Sequence, residues 1–214
     1  MIEMCRFCNI VDADGNIATN KDENQPIWSD DGYFALASIG ALIEGWVLII
    51  PKTHVFSMKE CYKEEGFINF TNEMLYVMNN QYNKSFIAFE HGANKCESET
   101  SCGTNHAHLH IIPYQNSLYE DMRSQGLVWK KCKSSQISSY VGNNEYLFYT
   151  EISANSAWSD PEGFVHILEY PISQFFRKLI ANQLNCPDKY NYKQYPRIDT
   201  AIKTKNILSE AMNV

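Results

Sequence analysis

The chain has 214 residues, 44% of them hydrophobic and 20% charged, which suits one domain with additions and is ample for a real core. With 18 basic against 25 acidic residues the formal net charge is −7, and no long basic stretch offsets it, so extended contact with a nucleic-acid backbone is disfavoured. The sequence shows neither a cationic start followed by an apolar leader nor an apolar run near the roughly 18 residues of a membrane helix; its seven irregularly spaced cysteines read as reduced thiols, so a soluble cytoplasmic protein without membrane contact is expected.

The first feature in chain order is the knuckle "CRFC", whose thiols at Cys5 and Cys8 can reach one metal ion across a tight turn. Redox motifs share this spacing but normally open a helix after a strand, and a pair of surface thiols is the plain alternative. A polar stretch rich in Gly, Asn and Asp, residues 12–32, reads as turns and loop. "YFALAS" and "GWVLIIP" then read as two adjacent strands, the second buried on both faces and ended by Pro51. Ser57 with Glu60 offers a capping box ahead of Phe67, Phe70, Met74, Val77 and Met78, whose spacing predicts a long helix. "SFIAFEHG" returns as a strand, a loop holding Cys96 and Cys102 follows, and "HAHLHII" leads to Pro113. Ser117 with Glu120 marks a shorter helix, "EYLFYTEI" and "GFVHILEYP" a hairpin with a long turn, and two helices are expected from near Ser173 and Asp199. The expected class is α+β: an antiparallel sheet core with a long helix over residues 1–125, and an extension of hairpin and helices, 126–214, packed on it.

"HAHLHII" places half of the six histidines at alternate positions. A strand has period two, so His106, His108 and His110 share one face while Ala107, Leu109 and Ile111 fill the other. Two chemistries suit such a row: a metal site built from imidazole nitrogens, or a catalytic row in which one imidazole attacks and a neighbour assists. A Cys₂His₂ site needs two imidazoles beside the knuckle, and His54, directly after a strand, and His106, first of the row, are the candidates.

The sequence resembles the histidine triad (HIT) family, whose signature alternates three histidines with apolar residues and ends in two apolar positions, as "HAHLHII" does. "EGWVLIIPKTH" is similar to that family's glycine-led strand ending in Pro-Lys-x-His, and "CRFC" to the knuckle of its zinc-containing branch. "SQFFRKLIANQL" with "CPDKYNYKQYP" resembles the extension of longer HIT-like proteins, with a looser similarity to CwfJ-type C-terminal domains of splicing-associated proteins. The resemblance implies hydrolysis or transfer at the α-phosphate of a small nucleotide conjugate, such as a dinucleoside polyphosphate or a phosphoramidate. By position His108 is then the nucleophile that forms a nucleotidyl-histidine, His110 assists the leaving group, and Cys5, Cys8, His54 and His106 hold structural zinc. HIT-like domains are often dimers, which admits a homodimer here.

Gly103, Thr104 and Asn105 could donate backbone or side-chain hydrogens to a phosphate, or form an ordinary turn. Ser38 stands where many members place an acidic or amide residue on the ribose, making it a substrate-binding candidate, and Trp46 stands where they often have histidine. Glu90 and His91 could compensate for these departures, though a turn explains Gly92 equally well. Gln174 and Arg177 could contact phosphate near a helix start, but read better as the solvated face of a helix whose Phe176, Leu179 and Ile180 are core. An enzyme working through His108 is the leading expectation. Its rivals are a nucleotide- or RNA-end-binding module of a ribonucleoprotein complex and direct zinc catalysis by the three histidines, which would leave the knuckle without partners.

Overall fold

The computed structural model describes residues 5–11 and 16–212; the chain start and residues 12–15 of the polar stretch lie outside them. Eight strands form a single sheet in the order β1-β2-β3-β5-β4-β7-β8-β6. The strands are β1 (Trp28–Ser29), β2 (Tyr33–Ala37), β3 (Val47–Pro51), β4 (Phe86–Gly92), β5 (Leu109–Pro113), β6 (Lys130–Lys133), β7 (Tyr146–Ile152) and β8 (Glu162–Ile167). Every neighbouring pair is antiparallel. The helices are α1 (Glu65–Tyr82), α2 (Tyr119–Ser124), α3 (Ile137–Val141), α4 (Phe175–Gln183) and α5 (Ile198–Met212). The expected α+β class and the order β, β, α, β, β through Pro113 are observed, with β1 added in front.

Period-two alternation distributes the strands' side chains between two cores. Val47 and Ile49 of β3 join Leu109 and Ile111 of β5 on the face covered by α1, with Phe67, Phe70, Met74 and Met78. Leu48 and Ile50 join Phe34, Phe89, Ile112 and the α4 residues Phe176 and Ile180 on the other. A sheet buried on both faces needs strands that are apolar throughout, which is why β3 lacks an alternating polar set.

Two local expectations are corrected. Ser57 and Glu60 do not cap α1: a 3₁₀ turn at Cys61–Lys63 intervenes, α1 begins with Glu64 as its N-cap, and the amide of Met58 is drawn instead to the Glu90 carboxylate at 2.6 Å. Ser117 does bond the first amide of α2, that of Tyr119, but Glu120 pairs with Arg123 rather than closing a box. The short elements β6 and α3 gave no periodic signal, being too brief to carry one.

The hairpin of the extension, β7–β8, continues the sheet: β7 pairs with β4 from Phe86↔Ile152 to Gly92↔Tyr146. We propose that residues 126–214 are therefore an integral part of the folded unit. A chain ending at Val141 is expected to be poorly soluble, because it bares the outer edge of β4 and the apolar faces under α4 and α5. Soluble expression followed by thermal unfolding checks this, and a stable, cooperative, truncated core would show the extension to be detachable.

Candidate functional site

Four side chains from three segments converge at one side of the sheet: Cys5 and Cys8 in the N-terminal turn, His54 in the loop after β3, and His106 leading into β5. Their ligand atoms lie within 4.8 Å of one another, so the group could hold a metal ion. Cys5 Sγ is 3.3 Å and Cys8 Sγ 3.5 Å from His106 Nδ1, and Cys8 Sγ is 3.1 Å from His54 Nδ1. Bonds of about 2.0–2.3 Å in a tetrahedron give edges of roughly 3.6 Å, so the donor set fits zinc in chemistry and three of its separations fit in size. His106 is prepared for the task, since its Nε2–H donates to the Pro51 carbonyl at 2.8 Å and leaves the Nδ1 lone pair for the ion.

His108 and His110 turn away from this cluster. The strand proper begins only at Leu109, and His106 and His108 lie in its extended lead, tied down by Ala107 N–H to the Val55 carbonyl. His108 Nδ1–H donates to the His106 carbonyl at 2.9 Å, so its Nε2 carries the lone pair. Trp46 Nε1–H, which can only donate, bonds His110 Nδ1 at 2.9 Å and obliges that ring to carry its proton on Nε2. Trp46 thus fixes the tautomer of His110. The two rings sit 4.8 Å apart, with Phe7 edge-on to His108 at 5.5 Å. Burial holds both neutral, His108 down to about 4 and His110 well below the usual imidazole range.

A small cavity of about 30 Å³ opens between His108, His110, His91, Ser38, Thr104 and Arg177. Arg177 corrects an expectation, for it is buried rather than part of a solvated face. On the helical wheel it falls between Ile180 and Ala181, both buried, so counting Ala181 as core would have placed it inside. Its guanidinium stacks 4.4 Å over Trp46 and donates to the Gly40 and Ile39 carbonyls and to Ser38 Oγ. Ser38 therefore lines the cavity with its hydroxyl already engaged. Gln174 is the N-cap of α4 and does not line the cavity.

The segment before α5 covers the mouth. Tyr192 donates to the Cys102 carbonyl at 2.7 Å, and the Pro196 carbonyl accepts from the Gly40 amide at 2.5 Å. Gly40 has φ +72°, and a Cβ there would lie 2.3 Å from Cβ of Tyr192, so this close crossing requires glycine. Gly103 and Asn105 line a separate polar groove with Lys21 and Lys193, and Arg6 and Thr104 line both spaces. Asn105 Oδ1 accepts from Glu97 N–H and from Ser101 Oγ–H, and Thr104 Oγ1 donates to the Ser101 carbonyl, so these side chains close the turn they sit in.

Alternation along β4 sends its two candidates to opposite faces. His91 lines the triad cavity, whereas Glu90 is buried on the α1 side, accepting from Met58 N–H, Tyr62 OH and Tyr146 OH. Burial pushes the Glu90 carboxyl up to about 7 despite these three donors. Its role is in the core.

Residues 3–125 match the family described as proteins similar to the CwfJ C-terminal region, and the chain belongs to that family. Among solved structures it is similar to a Hit-like protein involved in cell-cycle regulation from Bartonella henselae, crystallised with an unknown ligand. The identity is 18%, over 43% of this chain and 70% of that one, with a TM-score of 0.35. No curated protein matches the chain. Among the described residues no helix is long and apolar enough to cross a membrane.

Proposed function

We propose that this protein is a nucleotide hydrolase or nucleotidyl transferase that acts at the α-phosphate of a small nucleotide conjugate through His108. The observation that carries this reading is the complementary pair of tautomers, a lone pair on His108 Nε2 beside a proton on His110 Nε2, lining one cavity. His108 Nε2 attacks phosphorus while the bond to the leaving oxygen breaks and its electron pair stays on that oxygen. The His106 carbonyl, accepting from Nδ1–H, stabilises the positive charge that develops on the ring. Water or another acceptor then displaces His108, whose lone pair returns to Nε2, and the proton lost by water passes to solvent.

His110 stabilises the phosphoryl or leaving oxygen as a hydrogen-bond donor. It does not give its proton away, because Nδ1 is occupied by the Trp46 donor and loss of the Nε2 proton would leave an imidazolate. Leaving groups that depart as stable anions are thereby favoured, so a phosphoanhydride suits this site better than a phosphoramidate with an amine leaving group. Cys5, Cys8, His54 and His106 would hold zinc, which would supply a structural cross-link between the N-terminal turn and the triad segment.

A panel of dinucleoside polyphosphates, nucleoside phosphoramidates, nucleotide sugars and capped oligonucleotides, followed by release of mononucleotide, tests the reading. Anhydrides are expected to turn over fastest; a clear preference for amine leaving groups would contradict the role given to His110. The match to the CwfJ C-terminal family supports a second reading, a non-catalytic module that binds a nucleotide or RNA end. Nucleotide binding without turnover across the panel would favour it.

A further inference from the structure

Helix α4 brings to the triad cavity a cation that no carboxylate among the described residues neutralises. Arg177 is 5% exposed, and all its hydrogen-bond partners, the carbonyls of Gly40 and Ile39 and the hydroxyl of Ser38, are uncharged. Among the described residues no carboxylate pairs with it, and the lysine that follows it, Lys178, is exposed over the Tyr190 ring. His91, 7% exposed, lines the same cavity, and its Nε2 is buried without a hydrogen-bond partner among the described residues. Its ring is packed edge-on to Phe176 at 5.2 Å and lies 6.5 Å from His110.

A buried charge without a counter-charge and a buried nitrogen without a partner are each unfavourable in a ligand-free protein. One ligand group relieves both, provided that it is an anion with several acceptor oxygens. A phosphoryl group meets that requirement better than a carboxylate, because its oxygens can accept from the guanidinium, from His91 and from the His110 Nε2–H together.

We propose that Arg177 and His91 complete the triad cavity as an anion subsite that seats a phosphoryl group of the ligand. The charge in that subsite comes from Arg177 of the C-terminal extension, with Arg6 of the N-terminal turn also at the cavity, and not from the histidine row. The subsite deepens the proposed function and rests on it for the nucleotide nature of the ligand, but not for the requirement of a phosphate.

Calorimetric titration of the full chain with inorganic phosphate and with AMP tests the subsite directly. Arg177→Lys, which keeps a charge but loses the planar fork, is expected to weaken both ligands by about ten- to a hundredfold. His91→Phe removes only the polar edge of a ring already packed among aromatics; it is expected to weaken both about tenfold while the ligand-free protein melts at the same temperature or higher. A residue with a merely structural role would not show that opposition. Lys178→Met, on the same helix but outside the cavity, is expected to leave both affinities within about twofold, which separates a built site from general electrostatics. Failure of the wild-type protein to bind either ligand, or wild-type affinity in both the Arg177 and His91 variants, would overturn the proposal. A protein that binds phosphate through Arg177 yet turns over no nucleotide would support the subsite and defeat the hydrolase reading alone.

Discussion

Replacing His108 with glycine is expected to reduce turnover on the order of thousands-fold or more while folding and metal content persist, because the remaining hydrogen bonds cannot supply the missing P–N bond. Among the described residues its ring bonds through Nδ1 to a backbone carbonyl and packs edge-on to Phe7, so its loss is expected to leave the sheet register and the Cys and His cluster intact. His110→Ala is expected to do less damage, and least with leaving groups of low basicity, since that ring contributes a hydrogen bond and no covalent step. The direct measurement is transfer of label from an α-phosphate-labelled nucleotide to the protein, quenched in alkaline denaturant, since a P–N linkage is expected to survive base and to be lost in acid. Equal labelling of wild type and the His108 variant, or full turnover by the variant, would reject His108 as the nucleophile.

The second large effect concerns the metal cluster. Elemental analysis is expected to find about one zinc per chain, and a strong chelator is expected to lower the melting temperature by on the order of 10 °C. The cluster joins the N-terminal turn to the loop after β3 and to the triad segment, so a bound ion would add a cross-link to the packing of Phe7 and the Ala107–Val55 hydrogen bond. Cys5→Ser is expected to reproduce the destabilisation, and to affect turnover mainly through loss of folded protein. A metal-free wild-type protein that melts unchanged in chelator, or a metal bound by His108, would refute this assignment.

Much of this arrangement was legible in the sequence because it is local. The period of "HAHLHII" separates the imidazoles from Ala107, Leu109 and Ile111, and the α1-side core contains those three apolar residues. The grouping of Cys5 and Cys8 with His54 and His106 follows from ligand chemistry, which limits the partners a knuckle can take. Arg177 was weighed as a phosphate contact but read as part of a solvated helix face, because its burial depends on Trp46 and the Gly40 turn, more than a hundred residues away. Trp46 read as a mere departure for a similar reason: its value lies in one donor aimed at His110, a fact of tertiary geometry. Neither Tyr192 nor Pro196 could be placed over Gly40 from pattern alone, since the segment carrying them has no regular period.

The pairing of β7 along β4 also determines how this sheet meets other chains. A strand with an unpaired row of amides and carbonyls is a template on which another molecule can add a strand. Here β4 is enclosed between β5 and a strand of its own extension. The margins left among the described strands are β1, two residues long, and β6, whose Lys130, Lys131 and Lys133 are exposed. Each of those lysines is held by the same chain, over the Tyr140 ring or beside Glu162 and Asp160. An incoming strand would have to displace these contacts and strip water from three ammonium groups before forming a ladder. The sheet is thus terminated by its own sequence at both ends, and self-association through backbone pairing is opposed by design of the margins rather than by bulk charge.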